Sequence, residues 1–151
     1  MPYDTLFERG IHVVTTGAVF AQPVAELALG LALDLSRQIT AAHQAFENGI
    51  EKWGLEGNRL ARLLFNSRIG MIGFGDLGKA LATILAGFRP QIKIYDPWLP
   101  NSFLSEIGTP SSLEDIFDSS DMIFVLAAVT TENQHFCLLY TSPSPRDLST
   151  S

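Results

Sequence analysis

The residues best suited to chemistry form a glycine loop: Gly73, Phe74, Gly75, Asp76, Leu77 and Gly78. Gly73 permits a tight turn, Gly75 has no side chain to keep a pyrophosphate from the backbone, and Gly78 lets a helix pack close to a sheet. The first N–H groups of a helix have no internal partners and lie at the positive end of its dipole, so they bind phosphate. The loop therefore predicts a dinucleotide site.

A single acid, Asp96, follows this loop at about 20 residues, the spacing at which a carboxylate accepts hydrogen bonds from the adenosine ribose. This carboxylate also selects the cofactor. A negative charge about 4 Å from a 2′-phosphate costs roughly 4 kcal/mol at an effective dielectric of about 20, which is close to a thousandfold in affinity. We therefore expect NAD to bind in preference to NADP.

The elements around the loop have the order that such a site needs. Arg68–Ile72 reads as a buried strand, Leu77–Phe88 as an amphipathic helix, and Ile92–Tyr95 as a second strand that ends in Asp96. A glycine pattern alone is weak, but this βαβ context is much stronger. The alternative is an ordinary strand–helix turn with Asp96 at a strand end. The pattern favours an α/β fold, a Rossmann-type doubly wound parallel sheet, here truncated.

Composition limits the classes of function. The chain has 151 residues, 46% hydrophobic and 17% charged, which is typical of a globular domain. A net charge of −6 argues against a nucleic-acid partner. The most apolar stretch, Val24–Leu35, contains Glu26 and Asp34, so we expect no membrane partner. A single cysteine, Cys137, excludes an internal disulfide and a cysteine metal cluster. With no signal-peptide pattern, a cytoplasmic location is expected.

The N-terminal half is predicted to be largely helical. Gly10–Val14 reads as a short strand and Thr15–Gln22 as a loop, after which Pro23 suits the first turn of a helix. That helix continues through Ile39 toward Phe46 and ends at Asn48-Gly49, with Gly54–Gly57 loose. Its apolar stripe comprises Val24, Leu27, Leu31 and Leu35. The stripe suits either a subunit contact or packing on the domain's own sheet.

The region after Asp96 continues the α/β pattern. Residues 97–100 form a proline-flanked turn, and Ser111 and Glu114 have the spacing of a capping box for a short helix. Met122–Ala128 is a continuous apolar run, which predicts a strand buried on both faces of a parallel sheet.

Together these residues resemble the NAD-binding domain of the D-2-hydroxyacid dehydrogenases, over residues 8–135. The ordered set is more specific than any one motif. It consists of Arg9–Val13 as the strand before the domain crossing, Val24-Ala25-Glu26 with Arg37, Gly49 and Trp53, the fingerprint Ile69–Gly78, Tyr95-Asp96-Pro97, and Asp121–Thr130. Leu126 and Ala128 depart from the family, which often has His and Pro there. The resemblance implies a remnant of the substrate domain over 1–21 and the NAD-binding domain, incomplete at its C-terminus, over 22–136.

The resemblance also implies a reaction and a site. The parent enzyme would transfer hydride between NAD and a small-molecule substrate, a D-2-hydroxy acid or 2-keto acid. The cofactor-binding residues would be Gly73, Phe74, Gly75, Asp76, Leu77, Gly78, Asp96, Pro97, Leu126, Ala128 and Thr130. The family's catalytic Arg, Glu and His would lie after the 122–128 strand, so we expect this fragment to be inactive. In relatives the long helix helps to form a dimer, and residues 24–46 could form a homodimer here.

Three histidines are present, and none matches the family's catalytic histidine by position. His12, His43 and His135 are expected to be solvated surface residues. Two alternative functions stay open at this point: a non-catalytic module that senses NAD, and a methyltransferase that binds S-adenosylmethionine. The tight glycine spacing and the 24–26 motif argue against the methyltransferase.

The C-terminal segment 137–151 changes character abruptly, beginning Cys137-Leu138-Leu139-Tyr140 and continuing through Ser and Pro. Residues 137–147 can be encoded codon for codon by DNA that resembles a transposase adapter from sequencing libraries. We expect the native protein to end near Phe136 and the tail to be adapter-derived. A natural Ser/Pro linker is the alternative.

Overall fold

A computed structural model describes residues 3–13 and 16–127 of the chain. The described residues fall into two compact units, Met1–Leu64 with Asp76–Phe88, and Phe65–Gly75 with the segment from Arg89 onward. The elements, in chain order, are α1 (Tyr3–Glu8), α2 (Gly17–Arg37), α3 (Ile39–Glu47), α4 (Gly54–Gly57), β1 (Arg68–Ile72), α5 (Asp76–Leu85), a 3₁₀ turn (Ala86–Phe88), β2 (Gln91–Tyr95), α6 (Asn101–Leu104), β3 (Thr109–Pro110), α7 (Leu113–Ser119) and β4 (Met122–Val125).

The second unit contains a four-stranded, all-parallel sheet in the order β3-β2-β1-β4. Its register pairs Ile72, the last residue of β1, with Tyr95 on one side and Val125 on the other. The buried interior of β1 comes from Ile69, Met71 and their neighbours, because a central parallel strand is covered on both faces. The expected α/β, Rossmann-type parallel sheet is confirmed.

Strand β4 corrects part of the expectation for 122–128. It ends at Val125 rather than extending to Ala128, and Val125 is 46% exposed while Phe124 is buried. Met122 and Ile123 are half-buried, so the continuous apolar run does not correspond to a strand fully covered on both faces of the described sheet.

The cap of α7 lies one residue later than predicted. Ser112, not Ser111, is the N-cap, and its hydroxyl accepts a hydrogen bond of 3.1 Å from the N–H of Asp115. Ser111 instead pairs with the sheet, since its N–H donates to the Ile94 carbonyl. The predicted box of Ser111 with Glu114 is therefore wrong by one position, because the strand contact of Ser111 delays the start of the helix.

Helix α2 of the first unit begins well before its proline. It starts at Gly17, so the predicted loop is wrong over residues 17–22, and Pro23 lies inside the helix. An interior proline removes one backbone hydrogen bond. Ala21 and Ala25 are buried in this part of α2, which packs against α5 in the same unit. This packing stabilises the helix across the proline.

The buried and exposed faces of α2 are the reverse of what its apolar stripe suggests. Small residues are buried: Ala21, Ala25, Ala32 and Ser36. The predicted apolar stripe is instead exposed: Val24, Leu27, Leu31 and Leu35. Small side chains let two helices approach closely, so the alanine face meets α5 and the larger side chains point away.

The long helix predicted through residue 46 is divided in two. α2 ends at Arg37, Gln38 adopts a left-handed conformation with φ of 58°, and α3 follows. The Asp34 carboxylate accepts a hydrogen bond of 2.7 Å from the N–H of Thr40, which satisfies a donor in the first turn of α3. Asn48 is the C-cap of α3, so the predicted end is confirmed.

Two smaller expectations in the first unit are wrong. Residues 10–13 form no strand; Gly10 has φ of 69°, and the Ile11 N–H donates back to the Leu6 carbonyl, which closes the end of α1. Gly54–Gly57 is one helical turn rather than loose chain. Both segments are short, and neither has a sequence pattern that strongly favours one secondary structure.

Among the described residues, α2 is long enough and, with a mean hydropathy of 1.5, apolar enough to cross a membrane by those two properties alone. The charged residues Glu26 and Asp34 therefore do not exclude this helix by length and composition, contrary to the expectation from the sequence. Core helices of water-soluble proteins share both properties, so the observation is weak evidence for a membrane segment.

Candidate functional site

The sheet edge at the carboxyl ends of β1, β2 and β4 gathers the candidate residues of the second unit. Gly73 follows β1 directly, and its N–H donates to the Tyr95 carbonyl at 2.8 Å. Across the strand, the Leu126 N–H donates to the Ile72 carbonyl at 2.8 Å. Ligands of open parallel sheets bind at this edge. The structure therefore brings Gly73, Asp96 and Leu126 to the edge where a nucleotide is expected.

Gly73 is required by its own backbone and by its neighbours. Its φ is 89°, a conformation that L side chains rarely adopt. A Cβ atom at this position would lie 2.7 Å from the backbone nitrogen of Ala127 and 2.8 Å from its Cα. The tight turn was predictable from sequence, but the close approach of the chain after β4 was not.

Gly75 presents the opposite situation. It is exposed, and a Cβ atom built on it would meet nothing within 4 Å. The space beside its Cα is therefore open. Phe74, between the two glycines, is completely buried, and its backbone N–H is bonded to Asp96. These observations fit the predicted phosphate role of the loop.

The remaining loop residues begin α5 in the other unit. Asp76 is exposed in the first turn, Leu77 is half-buried, and Gly78 is buried. α5 extends over ten residues, so its first-turn N–H groups have the free donors and the dipole that favour an anion. The buried face of this helix consists of Gly78, Leu81, Ala82 and Leu85.

Asp96 is half-buried and is the most highly connected side chain of the site. One carboxylate oxygen accepts a hydrogen bond of 2.7 Å from the Phe74 N–H. The other accepts from the N–H groups of Trp98 at 2.9 Å and Leu99 at 3.2 Å. An ionised carboxylate offers about four acceptor positions. One position is left for a ribose hydroxyl, and a second would become available if the longest bond, to Leu99, were released.

The other predicted contacts are only partly described. Pro97 is exposed immediately after Asp96, and Leu126 is half-buried beside the end of β1. Ala128 and Thr130 lie outside the described residues, as do His135 and the segment 137–151.

Two ion pairs stabilise the sheet at positions outside the candidate site. Arg68, at the start of β1, donates to the Asp121 carboxylate through its Nε at 3.1 Å and its backbone N–H at 2.8 Å. These bonds lower the pKa of Asp121 from 3.8 to about 2. Lys93 donates to Asp115 at 2.7 Å, and this bond lowers the pKa of that carboxyl. Neither pair was predicted from the sequence, because the partners are far apart in the chain and become neighbours only in the folded sheet.

The histidines of the described chain take no part in the site. His12 and His43 are exposed, as expected, although His12 lies in no strand. His43 lies 3.4 Å from Glu47 on the surface of α3. Within residues 3–13 and 16–127, no group of His, Cys, Asp and Glu side chains could hold a metal ion.

Comparisons with known proteins agree with this geometry. A family model described as D-isomer specific 2-hydroxyacid dehydrogenase, NAD binding domain, matches residues 29–138. The chain is 32% identical over 133 residues to D-lactate dehydrogenase of Escherichia coli, covering 87% of this chain and 39% of that protein. It is 34% identical over 129 residues to hydroxypyruvate reductase of Thermotoga maritima, covering 85% and 40% respectively.

Solved structures give the same result. A phosphoglycerate oxidoreductase from Rhizobium etli matches with a TM-score of 0.75 and 60% identity over 84% of this chain and 42% of that one. An NAD-dependent formate dehydrogenase from Staphylococcus aureus, solved in complex with NAD, matches with a TM-score of 0.72 and 30% identity over 89% of this chain and 40% of that one.

The chain thus spans roughly two fifths of the length of the relatives it matches. The match includes the glycine loop, Asp96 and the strand that ends at Val125. With the geometry of the sheet edge, it shows that the chain belongs to the D-isomer-specific 2-hydroxyacid dehydrogenase family and comprises much of its NAD-binding domain.

Proposed function

We propose that the chain is the cofactor-binding part of an enzyme that transfers hydride between NAD and a D-2-hydroxy acid or 2-keto acid. The observation that carries this proposal is the Asp96 carboxylate, fixed at the end of β2 and bonded to the glycine loop through Phe74. NAD, when bound, supplies the hydride chemistry. The residues of this chain bind and orient it.

Each residue has a distinct role in this proposal. Gly75 admits the pyrophosphate to the backbone of the loop. Asp96 accepts from the adenosine ribose and repels a 2′-phosphate, so NAD is preferred over NADP. Leu126 supplies an apolar contact beside the end of β1. Ala128 and Thr130, which lie outside the described residues, are also proposed to contact the cofactor.

Catalysis needs groups that we propose lie outside residues 1–136. The family resemblance assigns proton transfer to a histidine paired with a glutamate and substrate clamping to an arginine. His12 and His43 are exposed surface residues of the first unit. The chain should therefore bind NAD weakly and not oxidise 2-hydroxy acids.

A direct test is to incubate the purified chain with NAD and a panel of D-2-hydroxy acids and follow NADH absorbance, with NAD binding measured on the same sample. We expect binding without turnover. Measurable oxidation would overturn the proposal that the catalytic groups lie elsewhere. Failure to bind NAD would overturn the cofactor role of this chain.

The alternative of a non-catalytic NAD sensor is not favoured. The relatives at 30% identity or more carry enzyme names, among them a lactate dehydrogenase, a hydroxypyruvate reductase and a formate dehydrogenase. The proposed small-molecule substrate, a 2-hydroxy acid, rests on the same relatives. A cytoplasmic location, with no membrane or nucleic-acid partner, is also part of the proposal.

We propose separately that residues 137–151 are adapter-derived and that the native protein ends near Phe136. The family match ends at residue 138, close to the expected boundary near Phe136. Reading the source DNA through codons 137–147 tests the proposal. A verbatim adapter sequence supports it, whereas genomic sequence that continues into a natural stop codon would contradict it and reopen the sensor alternative.

A further inference from the structure

We propose that Trp98 lies against the adenine ring of the bound nucleotide and is a binding residue of this site. The inference rests on the proposed cofactor role. Trp98 is 80% exposed and follows Asp96 by two residues. Its backbone N–H donates to Asp96 Oδ1 at 2.9 Å, so the acid that receives the ribose also fixes the position of this indole.

Exposure alone does not single out Trp98, since Trp53 is 76% exposed in the other unit. The difference is the attachment to the site. Asp96 binds the N–H groups of both Trp98 and Leu99, and prolines at 97 and 100 flank the turn. A proline has a fixed φ, so this short turn has few conformations available. An aromatic side chain is thus presented from a rigid turn beside the carboxylate.

The covalent structure of the nucleotide places its base near this turn. The adenine is joined by one bond to the ribose that Asp96 receives, so the base must lie close to the end of β2. An indole has a large apolar face and loses little conformational freedom on binding. Base–aromatic stacking is worth enough for an alanine substitution to cost about 5-fold or more in affinity. The half-buried Leu126 beside β1 lacks an aromatic face, and Tyr95 before Asp96 is half-buried, whereas Trp98 offers an exposed aromatic face.

The test uses tryptophan emission in a Trp53→Phe background, in which Trp98 is the one remaining tryptophan. NAD, AMP and nicotinamide mononucleotide are titrated separately. We expect NAD and AMP to change the emission of Trp98 and nicotinamide mononucleotide to leave it unchanged, because only the first two carry adenine.

Substitutions provide an independent measurement by calorimetry. Trp98→Ala should weaken NAD and AMP binding by about 5-fold or more, and Trp98→Phe should recover most of the loss because it restores an aromatic face. Trp53→Ala is the matched control and should leave both affinities unchanged. Circular dichroism confirms that each variant is folded.

The outcomes separate this inference from the proposed function. Binding of NAD with unchanged Trp98 emission and an unchanged affinity for Trp98→Ala would overturn the inference alone. A response of Trp98 to nicotinamide mononucleotide would also overturn it, because the indole would then face the other end of the dinucleotide. Absence of any NAD binding to the unmodified chain would overturn the proposed function, and the inference with it.

Discussion

The Asp96 carboxylate lies 2.7 Å from the backbone nitrogen of Phe74, its hydrogen-bond donor 22 positions earlier in the chain. This bond ties the turn after β1 to the end of β2, so the acid expected to select the cofactor also shapes the loop that would hold its phosphates. The other Asp96 oxygen orders the turn at Trp98 and Leu99. Ligand recognition and loop conformation are therefore coupled through one side chain.

The two glycines of the loop should respond in opposite ways to the same substitution. Gly73→Ala places a methyl group 2.7 Å from the Ala127 nitrogen at a φ of 89°, so we expect the free energy of unfolding to fall by about 2 kcal/mol or more. Gly75→Ala meets nothing within 4 Å and should fold normally, yet lose NAD affinity because the methyl group occupies the ligand's approach.

Urea unfolding and NAD titration of both variants check this contrast. Gly87→Ala, where a Cβ likewise meets nothing within 4 Å, is the control for Gly75→Ala and should bind NAD normally. A Gly75→Ala variant with undiminished NAD affinity would show that the phosphates do not approach this backbone.

The local signals around the loop explain why the strands on either side of it were largely predictable. β1 has the bounds that its apolar run indicated, and Asp96 follows β2 as expected. The glycines and the acid at the end of a strand can be recognised from a few neighbouring residues in the sequence. The bond from Asp96 to Phe74 and the pair of Arg68 with Asp121, 53 positions apart, depend on which strands become neighbours. Sequence reasoning alone does not supply that information.

Helix α2 shows the same limit at the level of packing. Its period was correctly helical, but Ala25 is buried and Leu27 is 62% exposed. An apolar stripe on a helix predicts that another surface covers the stripe. The pattern does not say whether that surface belongs to the same chain or to a second copy. The small-residue stripe that packs on α5 gave a weaker signal than the leucines.

We propose that the exposed stripe of α2 forms part of the homodimer contact that the family resemblance implies for residues 24–46. Leu27, Leu31 and Leu35 are 62%, 55% and 67% exposed, and burying such side chains stabilises an interface by about 1.5–3 kcal/mol each. We expect the chain to sediment as a dimer and the double variant Leu27→Glu with Leu31→Glu to sediment as a folded monomer.

Leu55→Glu is the matched control for the dimer, since Leu55 is 94% exposed and lies outside the stripe. It should remain dimeric. A monomeric unmodified chain at all accessible concentrations, or equal dissociation of the control, would contradict an interface on α2.

The break between α2 and α3 predicts a stabilising substitution. Gln38 has φ of 58°, where a side chain costs about 1–2 kcal/mol, while its Nε2 donates one exposed hydrogen bond to the Leu35 carbonyl. Gln38→Gly should therefore raise the free energy of unfolding by about 0.5–1 kcal/mol.

Gln44→Gly is the control, because it makes the same substitution at a position in the middle of α3. It should lower the free energy of unfolding by about 1 kcal/mol, because the glycine sits in an ordinary helical conformation. Chemical denaturation measures both. If both variants lose stability equally, the left-handed conformation of Gln38 does not cost what its geometry implies.

The Arg68–Asp121 pair gives stability a defined pH dependence. The folded pKa of Asp121 is about 2, below its usual 3.8, so the pair's contribution is complete above the unfolded value and is lost as pH falls through the folded one. We expect stability to decline between about pH 4 and about pH 2. The side chains are 57% and 47% exposed, so solvent screening keeps the effect small and added salt should reduce it further.

Urea unfolding over this pH range, with and without Asp121→Asn, checks the assignment. The variant should have a shallower decline. The neighbouring Asp115, whose pKa is also lowered by Lys93, remains in both proteins and accounts for part of the residual slope. An unchanged slope in Asp121→Asn would remove this pair as its source.

The measurement that tests the central claim most directly is a calorimetric titration of NAD and NADP into the chain and its Asp96→Asn variant, with the exposed Asp118→Asn as control. Asparagine keeps one acceptor oxygen but removes the charge. We predict that the unmodified chain and the control bind NAD and discriminate against NADP by roughly a thousandfold, and that Asp96→Asn loses most of this preference. Equal or tighter binding of NADP by the unmodified chain, or an unchanged preference in Asp96→Asn, would contradict the role assigned to Asp96.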